Sequence, residues 1–432
     1  MTIDMRPDRL LATTQRTGSS SMLEGRWAAN GSARVARSLL RRMRAEQLTV
    51  REQIPGQPFA IDRYGPGNGS LEAVVTVHDL RAYTAILNEG SIGLGRGYIE
   101  RWWSSDDPVA VVRVIIRNID WIDAARNRLH NATGWVTDRI RNVLPRDTRN
   151  RNRDDIAAHY DIGNSFFELF LDETMTYSSG IFGSPDASMA DASLRKYDVL
   201  LDKLSVTEQH HLLEIGTGWG GLAIRAAAST GCQVTTTTIS AEQLDEAARR
   251  VDLAGLTDRV TVVDHDWRDL SGRFDRVVSI EMIEAVDWRD YDAYFAKIER
   301  SMAPDGLAAI QAICLPDRRW ERAKNTEDFI KRFVFPNGFL PSVGAISESI
   351  ARATSMHVVD VEDFAPHYAE TLRRWRHRFD DRIAEVAALG LDERFQRLWR
   401  FYLSYCEAGF LERHCTVVQI VLAGREWRGM VP

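Results

Sequence analysis

Residues 211–228, HLLEIGTGWGGLAIRAAA, constrain the fold of this chain more than any other stretch. A short apolar run, Leu212, Leu213 and Ile215, passes into Gly216, Gly218, Gly220 and Gly221, and then into an alanine-rich segment. The pattern is that of a strand, a glycine turn and a helix. Glycine has no Cβ, so such a turn lets backbone approach a ligand closely, and the helix start offers unpaired N–H groups. A nucleotide-type ligand is the expected guest.

Downstream, strand patterns at 233–239, 260–263, 274–280 and 307–315 alternate with helical ones at 241–254 and 291–301. Strands joined by helical crossovers predict an α/β fold with a doubly wound parallel sheet. A last strand at 416–423 is expected to pair antiparallel at the sheet edge. Two long amphipathic segments, 367–386 and 391–413, precede it. An insertion at 316–341 carries Trp320, Phe329, Phe333, Phe335 and Phe339, and is read as the wall of an apolar channel.

At 432 residues the chain is too long for one ordinary core, and two domains are expected. Residues 1–30 are polar and aperiodic and are read as a disordered lead. Residues 31–145 mix strand and helix patterns, which predicts a smaller α+β domain. It opens with a basic amphipathic helix at 33–48. Such a helix can lie on anionic headgroups or pack on its own domain. Trp102 and Trp103 leave a similar choice between a lipid-contacting edge and a core. Residues 146–155 read as a linker, and 156–432 as the ligand-binding domain. At its start, 156–182 combines Phe166, Phe167 and Phe170 with His159, Tyr160, Asp161, Asn164, Tyr177, Ser178 and Ser179, as a lid over the ligand requires.

No apolar run approaches the roughly 18 to 20 residues of a membrane span. The start lacks a basic-then-apolar leader, and Cys232, Cys314, Cys406 and Cys415 form no CxxC pair, so a cytoplasmic protein with reduced thiols is expected. The net charge of −6 hides an asymmetry: residues 1–155 hold 24 Arg and no Lys against 18 acids. The front of the chain can therefore face an anionic partner, although a solvated surface gives the same count.

Gly216, Gly218 and Gly221 also satisfy GxGxxG, the dinucleotide fingerprint. That fingerprint needs an acid about 20 residues further on, at the end of the second strand. Here that strand ends TTTTIS, without an acid, whereas Glu214 stands directly before the glycines.

LLEIGTGWGGLAIRAA, TTTTISAEQ and VVSIEMIEAV, with HYDIGNSFFELFLDETMTYSSGIF before them and HYAETLRRW after, resemble the S-adenosylmethionine-dependent cyclopropane-fatty-acid synthase and mycolic acid methyltransferase family. IQAICLP and HYAETLRRWRHRF look closest to the actinobacterial branch that makes 10-methylene and 10-methyl chains. The resemblance covers residues 155–425 strongly and the front more weakly. It implies a Rossmann-like class I methyltransferase sheet, with Tyr177, Ser178, Glu214, Gly216, Gly218, Gly220, Thr238, Gln243, Asp266 and Trp267 around S-adenosylmethionine. Gln243 can bond ribose hydroxyls, and Trp267 offers a face or edge to adenine.

The implied reaction is methyl transfer to the cis double bond of an unsaturated phospholipid chain, oleoyl-like, giving a methylene branch or a cyclopropane. In the resembled family the base is a bound bicarbonate. Its holders match Glu284, Ile313 and Tyr368 here, while the cysteine position is Ser179 and the histidine position is Gln311. Serine and glutamine still donate hydrogen bonds to an anion, but a neutral glutamine carries no charge and relays no proton as a histidine does.

The expected setting is cytoplasmic and peripheral, at the inner face of the membrane, on phospholipid and without nucleic acid or a metal. A homodimer and a separate reductase acting on the product are open expectations. The alternatives are a soluble small-molecule methyltransferase and a lipid-binding relative decayed at Ser179 and Gln311.

Overall fold

The computed structural model describes residues 22–122, 124 and 162–430. Residues 1–21 of the expected lead, the expected linker at 146–155, and His159, Tyr160 and Asp161 lie outside them. The chain forms two compact units: one of residues 1–147, 327–334 and 383–412, the other of 148–326, 335–382 and 413–432.

The first unit holds a four-stranded sheet of β1 (Gln47–Glu52), β2 (Ala60–Tyr64), β3 (Glu72–Val77) and β4 (Trp103–Ser104), in the order β2-β1-β3-β4. β1 runs antiparallel to β2 and parallel to β3. The basic helix spans Met22–Leu40: it begins inside the stretch read as disordered and stops before the expected end at 48. Residues 47–48 belong to β1 instead, because pairing on both sides overrides local helical spacing. The helix packs on its own unit through Ala33 and Ala36, and Arg37 Nη2 meets Glu52 Oε2 at 2.6 Å. Arg34, Arg41, Arg42 and Arg44 stay exposed.

Trp103 is core: it is 1% exposed, donates from Nε1 to the Leu94 carbonyl at 2.9 Å and meets Tyr98 edge-on. Trp102 lies under the Arg81 guanidinium. Two segments distant in sequence complete this unit, the short helix Phe329–Phe333 and the long helix Glu393–Leu411. Phe329, expected to wall a channel, is fully buried against Phe401.

The second unit is built on seven strands. They are β5 (His211–Ile215), β6 (Gln233–Thr238), β7 (Val260–Asp264), β8 (Phe274–Ile280), β9 (Met302–Cys314), β10 (His357–Asp363) and β11 (Thr416–Ala423), in the order β10-β11-β9-β8-β5-β6-β7. β5 to β9 are parallel neighbours, while β11 runs antiparallel to both β9 and β10. The expected antiparallel last strand is present, but β10 takes the edge outside it. β10 has no buried face, its Val358 and Val361 being exposed, so it carries no alternation that reading the sequence could detect. The expected helix at 367–386 is split in two, Ala365–Asp381 and Ile383–Ala388, and the second piece belongs to the first unit.

β5 pairs with β6 on one side and β8 on the other, so the strand order reverses there. In a doubly wound sheet the crevice at the carboxyl ends of such strands is where a ligand binds. Among the described residues no helix is long and apolar enough to cross a membrane.

Candidate active site

At the carboxyl end of β5, Gly216, Gly218 and Gly220 take φ of +101°, +52° and +85°, in the region that disfavours side chains. Gly220 caps the helix Gly221–Thr230, and a Cβ at Gly218 would meet nothing within 4 Å, so the turn presents open backbone. Glu214 is buried under this turn and accepts from Thr236 Oγ1 at 2.6 Å. Burial lifts its carboxyl to about 8, against the Thr236 hydrogen bond and the Lys196 charge. At the end of β6, Thr238 Oγ1 donates to Gln243 Oε1 at 2.9 Å, which orients the glutamine amide. Asp266 is tied to the Arg268 backbone N–H at 2.9 Å. Trp267 packs edge-on to Tyr294 with Arg268 over its ring, so little of its surface remains for a ligand.

Tyr177 lies in an aromatic cluster with Phe167, Phe170 and Trp375. The segment that follows is pinned: Gly180 N–H donates to Thr371 Oγ1 at 3.2 Å and Phe182 N–H to His367 Nδ1 at 3.2 Å. Ser178 Oγ accepts from the buried Lys196 Nζ at 2.7 Å. Burial brings that ammonium down to about 8, opposed by Glu281, Asp172 and Glu214.

The carboxyl end of β8 carries a second set of groups, centred on a residue that the sequence reading passed over. Glu281 Oε1 accepts from the Ser179 backbone N–H at 3.0 Å and from Gln311 Nε2 at 2.7 Å, and Oε2 accepts from the Tyr368 hydroxyl at 2.6 Å. Gln311 is held in turn by Gln419, whose Nε2 donates to Gln311 Oε1 at 3.1 Å. The sheet register places these groups in a row, since Ile280 pairs with Gln311 and Gln311 with Gln419. Three residues on, Glu284 Oε1 accepts from the Ile313 backbone N–H at 2.6 Å, while its buried Oε2 has no partner. Burial and the Glu281 charge raise the Glu284 carboxyl to about 8. Burial also raises Glu281, opposed by its bond from Tyr368, the Lys196 charge and the Ser179 and Gln311 donors. Each carboxyl is therefore easier to protonate than it is in water, and for Glu284 the charge of its neighbour adds to the effect of burial.

Residues 147–420 match the family model described as mycolic acid cyclopropane synthetase. The chain belongs to this family. It is an S-adenosylmethionine-dependent methyltransferase. It is 42% identical over 343 residues to a tuberculostearic acid methyltransferase of Mycobacterium tuberculosis, covering 77% of this chain and 79% of that one. It is 33% identical over 361 residues to the cyclopropane-fatty-acyl-phospholipid synthase of Escherichia coli, covering 82% of this chain and 89% of that one. Among solved structures, a mycolic acid cyclopropane synthase complexed with SAH and CTAB superposes with a TM-score of 0.59 at 30% identity, over 63% of this chain and 98% of that one.

In this methyltransferase the open glycine turn and the Thr238–Gln243 pair fit S-adenosylmethionine. Bicarbonate does not fit the residues as they stand. The donors expected for it at Ser179, Gln311 and Tyr368 are engaged by Glu281, and a second anion there would meet like charge. The Ser179 hydroxyl also points elsewhere, donating to the Gly180 carbonyl at 3.0 Å. Its contribution is made by the backbone, as is that of Ile313. Lys196 and Gln419 gave no signal in the sequence, being far from every motif. Glu281 did, as the first letter of EMIEAV, three residues before the acid that was singled out.

Proposed function

We propose that this methyltransferase acts on the cis double bond of an oleoyl-like chain in a phospholipid, and that its product is the methylene-branched chain. The observation that carries this reading is the pair of half-buried acids, Glu281 and Glu284, both with carboxyls raised, at the strand end beside the glycine turn. An alkene has no proton to lose before it is methylated, but one must leave afterwards, so the site needs a proton acceptor and surroundings that tolerate a cation. S-adenosylmethionine, when bound, supplies the electrophilic methyl group. The half-buried Tyr177 supplies aromatic surface, backed by the buried Trp375, which Tyr368 meets edge-on. The tuberculostearic name of the 42% identical relative supports the branched product, and the Escherichia coli relative's name keeps the cyclopropane as the competing outcome.

The substrate reading implies a peripheral protein at the inner membrane face. The exposed Arg34, Arg41, Arg42 and Arg44 support attraction to anionic headgroups. A methylene product also calls for a separate reductase to yield a methyl branch. The test is incubation with S-adenosylmethionine and oleoyl phosphatidylglycerol vesicles, followed by mass spectrometry and NMR of the acyl chains. A gain of one carbon with exocyclic alkene signals is expected. Ring-methylene signals would assign the cyclopropane, and a methylated soluble acceptor with untouched lipid would overturn the reading.

A further inference from the structure

We infer that the Glu281 carboxylate is the proton acceptor of this enzyme, a tethered replacement for the bicarbonate that the family resemblance implies. The inference rests on the proposed methylation of an alkene and follows from three features of the cage.

The first is occupancy. Three segments distant in sequence, carrying Ser179, Gln311 and Tyr368, each place one donor on Glu281, and these are three of the positions expected to hold a free anion. The second is valence. Glu281 Oε1 takes two hydrogen bonds but Oε2 only one, so Oε2 keeps acceptor capacity for a proton. The third is strain. Glu281 has φ of +48°, a left-handed conformation that a residue with a Cβ adopts at a cost. Its backbone is locked there by its own N–H, which donates to the Gln311 carbonyl at 2.8 Å. Strain combined with a half-buried acid marks a functional position better than a structural tie, for which a neutral side chain would serve.

The step balances without another reactant. Alkene electrons form the bond to the incoming methyl as its bond to sulfur breaks, leaving a cation on the neighbouring carbon. A hydride shift moves the charge to the carbon that bears the new methyl. Glu281 Oε2 then takes a proton from that methyl, and the C–H electron pair becomes the exocyclic double bond. The carboxyl group returns its proton to water after the product leaves.

The experiment compares wild type, Glu281→Gly and Glu281→Gln in carbon dioxide-free buffer, with and without added bicarbonate or formate. Glycine suits the positive φ, so Glu281→Gly removes the carboxylate without backbone strain. Wild-type turnover is expected to change by less than about twofold on adding bicarbonate. Glu281→Gly should lose on the order of 10²- to 10⁴-fold in turnover and recover at least about tenfold with either small anion. Glu281→Gln, which still fills the space, should lose as much and recover nothing. Binding of ¹³C-bicarbonate, followed by NMR, should be absent in wild type and present in Glu281→Gly.

Wild-type turnover that depends on bicarbonate, or bicarbonate binding by wild type, would overturn the inference. So would near-normal turnover of Glu281→Gly, or its failure to respond to either anion while S-adenosylmethionine affinity is retained. If Glu281→Gly does not fold, the wild-type bicarbonate measurements still decide. If wild type leaves every oleoyl lipid unmethylated, it is the substrate reading that fails, and the NMR result still reports on the anion site.

Discussion

The glycine turn after β5 and the acid pocket after β8 sit at the carboxyl ends of adjacent strands, yet they are made of opposite materials. The turn is open backbone, with three positive-φ glycines and neutral partners at Thr238 and Gln243. The pocket is dense with ionisable groups, and its hydrogen bonds join residues 102, 30 and 87 positions apart in the chain. The first suits recognition of a ligand already formed. The second suits handling of a charge that exists only during reaction, because preorganised donors and a raised acid cost no reorganisation at that moment. If this division is real, changes in one region should leave the other's property intact.

The largest effect should come from the pocket. Glu284→Gln and Tyr368→Phe are expected to slow turnover by on the order of 10²- to 10³-fold. S-adenosylmethionine affinity should stay within about tenfold, or 1.4 kcal/mol. Single-turnover kinetics and calorimetric titration separate the two quantities, and near-normal turnover in both variants would break the comparison. The converse change is Gly218→Ala. Its left-handed backbone makes alanine cost about 1–2 kcal/mol, and the new methyl occupies the open space above the turn. S-adenosylmethionine Kd should rise at least about tenfold, while thermal unfolding shows a retained fold.

A third consequence concerns pH. Glu284 ionises near 4.5 when unfolded but only near 8 when folded, so the folded state binds the extra proton in between. Its contribution to stability is therefore full below about 4.5 and lost as pH rises through 8. Glu284→Gln should flatten the decline of stability across that window by up to about 1.4 kcal/mol per pH unit. Chemical denaturation at a series of pH values measures this, and an unchanged slope would mean that the acid is solvated. The smallest effect is expected from Gln419→Leu. It removes the 3.1 Å bond that orients Gln311 but touches neither acid, and should lower turnover by about three- to tenfold with S-adenosylmethionine affinity unchanged.

Several expectations failed for one shared reason. The helical spacing at 33–48 runs into the first two residues of β1, and β10 carries no strand pattern, because what makes them strands is pairing to partners distant in sequence rather than their own periodicity. Trp103 was left open between lipid and core, and the choice was made by Gly97, which leaves room for its ring, and by the Leu94 carbonyl that takes its N–H. The donors expected to hold bicarbonate meet Glu281 instead for a similar reason: nothing in the linear order says which way the Glu281 side chain turns.

The sequence by itself determined six of the seven strands of the second unit's sheet, all but β10, and its ligand turn. Strand, turn and helix patterns are local, and an acid-free TTTTIS or a GTGWGG can be read without knowing its neighbours. Tertiary structure alone decided the acid pocket. Glu281, Gln311 and Gln419 become a row only through the register of β8, β9 and β11, and Ser179 and Tyr368 arrive from two further segments. Burial, which raises both acids, is likewise a property of the packed molecule and of no single stretch of chain.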